Sequence, residues 1–299
     1  MAVNQSFYGP GPLQISRTLV IPPGTTKNVA AVLHQDGVIT YPLVFRAAAW
    51  VTRDQGPIHA GEFYFPAHVS LAVVLAILRH GVPVQHQVTI PEGLTGAQIA
   101  AILNAVPDAT GHVAPPTEGG ILPQTYDFTL GTSRQAILAR AEKALQNSLG
   151  AAWAKRDPTI PLQSPQQALI LASIVQQESP IAAELPKIAA VYENRLNLGM
   201  KLQADPTVIY AASGGKDSGG VPISRADLAN PSPYNTYVQA GLPPGPICAP
   251  GIAAIEAVLH PAASKALYFV ATGNGGHVFA DNFKQQLQNI DLYRASQKQ

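Results

Sequence analysis

The stretch ILASIVQQESP, Ile170 to Pro180, places a single carboxylate at the end of an apolar run. Ile170, Leu171, Ile174 and Val175 recur at helical spacing, Gln176 and Gln177 are neutral, and Glu178 stands just before Ser179 and Pro180. The pattern predicts a core helix from about Ser164 to Ser179, with Pro180 ending it. One turn back, Glu178 meets Ile174 and Val175, and no Lys or Arg stands near it in the sequence. A carboxyl desolvated in this way keeps its proton to higher pH and can work as a general acid. The same Glu, opened to water where Pro180 ends the turn, would be an ordinary solvated side chain. The residues alone leave both readings open.

Further helices flank this one. Ser133 to Arg156 reads as a helix with Ser133 as its cap, and AAELPKIAAVYENRLNLG (Ala182 to Gly199) as another with Gly199 as its stop. A helix over Gly251 to His260, strands ALYFVAT and GHVFAD, and a polar last helix from Asn282 to about Arg294 complete the C-terminal part. Toward the N-terminus two segments echo each other: IPPGTTKNVAAVL (Ile21 to Leu33) and IPEGLTGAQIAAIL (Ile90 to Leu103). Each reads as a strand end, a Pro-Gly turn, a capping Thr and a short apolar helix. Between them GEFYFP is a predicted strand, SLAVVLAILRHG a capped helix ending at Gly81, and VPVQHQVTI an alternating strand. VPDATGHVAPPTEGGILPQTYDF (Val106 to Phe128) reads as a linker or ordered crossing loop. The fold class is α+β: an N-terminal module over residues 14–105, then a mixed α/β domain over residues 106–294.

Bulk properties narrow the function. The chain has 299 residues and 46% hydrophobic content, enough for two modest domains or one large one. Only 12% of residues are charged and the net charge is +1, so no broad basic face exists to hold nucleic acid or an anionic membrane. The single cysteine, Cys248, excludes an internal disulfide and a cysteine-based zinc site, and reads as a buried, inert thiol. The longest apolar stretch, Leu71 to Leu78, falls far short of the roughly 20 residues of a membrane span. The opening MAVNQSFYGPGPL reads as a start codon placed where an upstream segment was removed.

Two more segments carry candidate groups. In MKLQADPTVIY (Met200 to Tyr210), Gln203, Asp205 and Thr207 alternate with apolar residues, as on a strand or an extended approach to a loop. Spaced by two, they would share one side and could meet sugar hydroxyls; a surface strand turning at Asp205-Pro206 is the plainer reading. SPYNTYVQAGLPPGPICAPG (Ser232 to Gly251) mixes aromatic rings with amides and hydroxyls at Tyr234, Asn235, Thr236 and Tyr237, stiffened by prolines. Such a mixture suits a sugar cleft, and suits a rigid structural loop equally. GNGGHVF (Gly273 to Phe279) lacks the Lys-Ser/Thr of a phosphate loop and reads as a hairpin turn. His260 and His277 lack metal-ligand spacing and read as structural.

Together these segments resemble the YceG-like endolytic murein transglycosylase family of bacteria. The resemblance rests on EGGILPQTYDF, LASIVQQES, KIAAVYENRLNLGMKLQADPTVIY, ISRADL, SPYNTYVQAGLPPGPICAPG, AVLHPA and LYFVATGNGGHVF, in order and spacing from residue 118 to 283. The N-terminal I-P-x-G-x-T units are similar to the family's LysM-like region, which is expected to touch glycan. The resemblance assigns the catalytic Glu to Glu178. Many relatives carry a second Glu two positions earlier, where this chain has Gln176. If Gln176 is native, the earlier acid is dispensable and Glu178 stands alone; if it was engineered, the chain is weakened. The first reading is preferred.

The implied reaction cleaves the β-1,4 bond between N-acetylmuramic acid and N-acetylglucosamine within a strand, leaving a 1,6-anhydro end. The muramyl C6 hydroxyl is the nucleophile, so one carboxyl suffices and no metal or organic cofactor is needed. Asn235 and Tyr237 are the foremost expected glycan contacts, followed by Gln203, Asp205, Thr207, Ser224 and Arg225. Arg225 would meet a muramyl or peptide carboxylate, or else lock the fold through Asp227. The family further implies peptidoglycan synthases as partners, and a single N-terminal anchor in the inner membrane with the catalytic domain in the periplasm. Two alternatives remain: a muramidase using Glu178 with Asp205 or Glu193 and a water, and a non-catalytic wall-binding protein whose Glu178 is exposed or paired to a cation.

Overall fold

The computed structural model describes residues 2–273 and 275–296, which form an α+β chain in two compact units. Unit 1 gathers residues 1–87, 107–110 and 127–132; unit 2 gathers residues 88–106, 111–126 and 133–299.

Unit 1 runs α1 (Ala2–Tyr8), β1 (Arg17–Ile21), α2 (Thr26–Gln35), α3 (Pro42–Val51), a 3-10 turn (Arg53–Gln55), β2 (Gly61–Phe65) and α4 (Leu71–His80). β1 pairs antiparallel with β2, Arg17 opposite Phe65 and Ile21 opposite Gly61. The cap residues act as read from the sequence. Thr25 accepts from the Asn28 N–H at the start of α2, and Ser70 from the Val73 N–H at the start of α4. Ile21, Leu33, Phe45, Phe63, Phe65 and Leu78 fill the unit's own core. Helix α3 was not anticipated; Pro42 starts it, and its run of Ala47, Ala48 and Ala49 gives little periodic signal.

β3 (Gln85–Thr89) pairs with β4 (Thr125–Thr129), and the division between the units falls within these two strands. The segment expected as a linker over residues 106–128 therefore ends in a strand. Its YDFT alternation, buried at Tyr126 and Phe128 and exposed at Asp127, follows the pleat.

Unit 2 continues with α5 (Gly96–Ala105), α6 (Arg134–Ala154), α7 (Pro165–Glu178), a 3-10 turn (Ala182–Glu184), α8 (Leu185–Asn197), α9 (Asp205–Ser213), α10 (Arg225–Leu228), α11 (Ile252–Leu259), β5 (Tyr268–Ala271), β6 (His277–Ala280) and α12 (Phe283–Ser296). Thr95 and Gln98 close a reciprocal capping box on α5. Ser133 caps α6, and Ser164, followed by Pro165, caps α7. Every residue of α7 from Ala168 to Val175 is buried, so the helix is apolar all round and lies inside the unit, packed by α6, α8 and α11. Each fully buried Leu, Ile or Val there contributes roughly 1.5–3 kcal/mol. Cys248 lies in the same core, its thiol pushed up to about 12 by burial, which agrees with an inert group.

One expectation is corrected. Residues 205–213 form a helix, not a strand. Pro206 in the first turn has φ already set and needs no N–H partner, and Asp205 complements the positive helix end. Just before it Gln203 adopts φ 52°, and the Gln203 N–H donates to the Thr236 carbonyl. β5 and β6 form the expected antiparallel pair around the glycine-rich turn.

Candidate active site

Glu178 is the last residue of α7, where burial gives way to an opening. It lines a cavity of about 170 Å³ together with Tyr192 and Arg195 of α8, Leu202, Gln203, Asp205, Tyr237 and Phe269. The Tyr192 hydroxyl donates to Glu178 Oε1 at 2.5 Å. Tyr192 is itself fixed: its ring meets Phe269 edge-on at 6.0 Å. Burial pushes the Glu178 carboxyl up to about 7; the Tyr192 hydrogen bond and the charge of Arg195 pull it down, and the Asp205 carboxylate raises it further. The sequence reading that Glu178 has no cation near it is thus corrected. Arg195 comes from another helix, three residues after Tyr192, and i, i+3 spacing puts both on one face. Glu178 makes no ion pair among the described residues.

Arg195 is itself tied down. Its Nε donates to the Leu267 carbonyl at 2.7 Å and its Nη1 to the Leu202 carbonyl at 2.7 Å. The charge is therefore delivered to the cavity wall without a carboxylate to cancel it. Across the cavity the Tyr237 hydroxyl donates to Asp205 Oδ1 at 2.6 Å. The result is one protonatable carboxyl, one hydrogen-bonded carboxylate and one fixed guanidinium around a space of a few water molecules.

The other expected site residues divide. Gln203, Asp205 and Tyr237 line this cavity beside Glu178. Asn235 does not: it is 0% exposed, and its amide nitrogen faces the carbonyls of Asp227, Leu228 and Asn230 at 3.3, 3.1 and 2.8 Å. Its Oδ1 accepts from the Tyr237 N–H at 3.0 Å. Asn235 thus braces the loop that presents Tyr237, and the expectation of direct glycan contact is corrected. Thr207 is also 0% exposed, bonding to the Ala204 carbonyl and Thr236 Oγ1, so it pins the turn before α9 instead of facing a ligand. Ser224 caps α10 through a reciprocal box with Asp227. Arg225 is exposed on that short helix and does not line the cavity. Of the alternative acids, Asp205 is in the cavity and Glu193 is not.

Gln176 Oε1 accepts from the Gly251 N–H at 2.9 Å, at the start of α11. Gln176, where the resemblance implies a second Glu, is thus a helix-end tie, away from the cavity lining. Gln177 likewise ties loops, donating to the Gly93 carbonyl and Ser218 Oγ. His277 pairs with Glu184 at 2.8 Å and His260 with Glu256 at 3.7 Å, both structural. Among the described residues no three His, Cys, Asp or Glu side chains gather as a metal ion would require. Sequence reading missed Tyr192, Arg195 and Phe269. The available signal for the first two was a Tyr and an Arg three apart on a helix with an apolar face.

The sequence profile of the YceG-like family matches residues 19–292. The endolytic murein transglycosylase of Bacillus subtilis (strain 168) is 29% identical over 312 residues, covering 93% of this chain and 85% of the relative. The protein of the same name from Streptococcus pneumoniae serotype 2 is 27% identical, covering 91% of this chain and 57% of the relative. A crystal structure of a yceG-like protein from Listeria monocytogenes superposes with a TM-score of 0.55 at 26% identity, covering 91% of this chain and 98% of that one.

Proposed function

The chain belongs to the YceG-like family, and we propose that it is an endolytic lytic transglycosylase of peptidoglycan with Glu178 as its catalytic acid and base. The observation that carries this reading is the setting of Glu178: a carboxyl in a small cavity, hydrogen-bonded by Tyr192 and raised to about 7 by burial. Near neutral pH such a group is protonated often enough to give a proton and basic enough to take one back. Glu178 protonates the oxygen that leaves when the bond from the muramyl anomeric carbon to N-acetylglucosamine breaks. The muramyl C6 hydroxyl then bonds to that carbon, and its proton returns to Glu178. A 1,6-anhydro end results, and water takes no part. The nucleophile belongs to the same sugar, so its positioning costs little further entropy. Gln203 and Tyr237 are suited to hold the sugar, and Arg195 holds the charge balance of the cavity. Asn235 acts through Tyr237.

A second reading has one observation in its favour. Asp205 shares the cavity with Glu178, so a muramidase could use it to support the second step of hydrolysis. Mass spectrometry of digested sacculi separates the two. Anhydro ends support the transglycosylase, and reducing ends, heavier by one water, replace it with the hydrolase. Endolytic cutting in place of trimming is checked on the same digest, by a fall in mean strand length before disaccharides accumulate.

The order β1, α2, α3, β2, with the two strands paired, supports a LysM-like reading of unit 1. The division expected from the sequence, residues 14–105 and 106–294, is kept as one of roles and shifted to the two units: unit 1 touches glycan, and unit 2, which also holds residues 88–106, cuts it. The role implied for such an enzyme is to end nascent strands beside a peptidoglycan synthase, at the periplasmic face of the inner membrane, on a single-pass anchor. No helix of the described residues is long and apolar enough to cross a membrane. Cell fractionation of the product of the complete gene tests the anchor, and its recovery in the cytosol would overturn this placement.

A further inference from the structure

Arg79, near the end of α4, is only 5% exposed. Its Nη1 donates to Thr52 Oγ1 at 2.9 Å and Gln55 Oε1 at 3.3 Å, and its Nη2 to the Ala49 carbonyl at 3.1 Å. All three acceptors are neutral. Its Nε is buried and has no partner. Among the described residues no carboxylate oxygen lies within 4.0 Å of this guanidinium. A buried charge left without a counter-charge is costly, and chains rarely keep one without a use.

Arg79 lines a cavity of about 960 Å³ that is built wholly from unit 1. Arg46, Arg53 and His59 line it too, and no Asp or Glu does. Arg46 is exposed, and the Arg53 guanidinium lies 4.5 Å over the Trp50 ring. Asp54, beside Arg53 on the 3-10 turn, is exposed and outside the lining. The groove thus offers three guanidiniums and an aromatic face in a chain whose net charge is only +1.

We propose that this groove is an oxyanion site and that it takes the carboxylates of a glycan strand. Planar guanidinium groups match carboxylates with paired hydrogen bonds, and a carboxylate seated in the groove beside the exposed Arg46 and Arg53 would supply the counter-charge that Arg79 lacks. The choice of glycan as carrier rests on the proposed function above; the oxyanion chemistry rests on Arg79 and its neighbours. Two sources carry the group: the muramyl lactyl carboxylate of a bare strand, and the carboxylates of the stem peptides.

The test uses the full chain carrying Glu178→Gln, so that ligand is not consumed, with calorimetric titration of three probes of equal length. These are a neutral chito-oligosaccharide, a bare muramyl glycan and a peptide-bearing glycan. At least one carboxylated probe binds about tenfold or more tightly than the neutral one, as for a hydrogen bond to a charged group. The tighter of the two names the source. Salt erodes the preference. The pair Arg46→Ala and Arg53→Ala, both at exposed positions, removes most of it while melting as the parent does, and Arg79→Lys reduces it. Equal affinity for all three probes overturns the proposal, as does a preference unchanged in the Arg46/Arg53 variant. Cleavage by the wild-type chain is scored separately. Cleavage without charge preference sinks the groove alone, and charge preference without cleavage sinks the enzyme reading alone.

Discussion

Glu178 and Glu193 are two acids of one unit, both raised by burial, and they differ in what surrounds them. Glu178 rises to about 7 at the edge of a cavity, with a hydroxyl donor and a guanidinium beside it. Glu193 rises to about 8 on α8, is 4% exposed, and has an oxygen with no hydrogen-bond partner. It follows Tyr192 directly, so the helix turns it away from the face that Tyr192 and Arg195 share. A raised pKa therefore marks burial in both and, under the proposed function, chemistry in only one. The cavity and the supporting hydroxyl tell them apart.

Exchange of each acid for its amide is the strongest way to break that comparison. Glu178→Gln lowers glycan cleavage by at least ~10²–10⁴ with the fold intact, because the group carries both proton transfers. Glu193→Gln leaves cleavage within a few-fold of wild type. Release of fragments from purified sacculi, with circular dichroism as the fold check, measures both; an active Glu178→Gln chain ends the assignment.

The pH dependence sharpens the same contrast. Under the proposed function cleavage needs protonated Glu178, so its alkaline limb falls as pH rises through about 7. Glu193→Gln leaves that limb in place. Tyr192→Phe moves it upward, since the lost hydrogen bond had favoured the ionised carboxyl. A limb that moves down, or does not move, removes Tyr192 from this role. Initial rates across pH read all three chains.

The smallest effect is on stability. Both carboxyls bind their protons more tightly folded than unfolded, so the stability they lend is complete below the unfolded value of 4.5 and is lost as pH rises. The loss is spent by about pH 7 for Glu178 and about pH 8 for Glu193. Glu193→Gln therefore flattens the fall of melting temperature toward pH 8, and Glu178→Gln flattens only the part below pH 7. Melting curves at half-unit steps of pH check the order.

What could be read in the sequence was local. The α7 run, the Ser and Thr caps, and Gly199 as the stop of α8 depend on neighbours within a turn, and each is found as expected. The wall around Glu178 is assembled from α8, the turn before α9, the loop at Tyr237 and strand β5, and no local pattern states that they meet. Asn235 shows the limit best. Its place in an aromatic, amide-rich loop suggested ligand contact, and only its three backbone carbonyl partners reveal a brace. The α9 segment failed for a different reason: three alternating residues are too few to outweigh a proline that starts a helix.

The interleaving of the two units bears on how such a chain can be inherited or cut. Along the sequence the order is unit 1, 2, 1, 2, 1, 2, with unit 1 reclaiming residues 107–110 and 127–132. Those late returns hold partners of the first segment: Asp108 pairs with His86 at 3.2 Å, and Asp127 accepts from Gln87 at 2.8 Å. A fragment stopped at residue 105 would leave β3 as an open edge, inviting aggregation. One protease nick cannot release a finished half, and a recombination event between relatives keeps unit 1 whole only if its crossover falls beyond residue 132. Unit 1 should then travel between genomes together with the loop region that follows it, as one block longer than its own core.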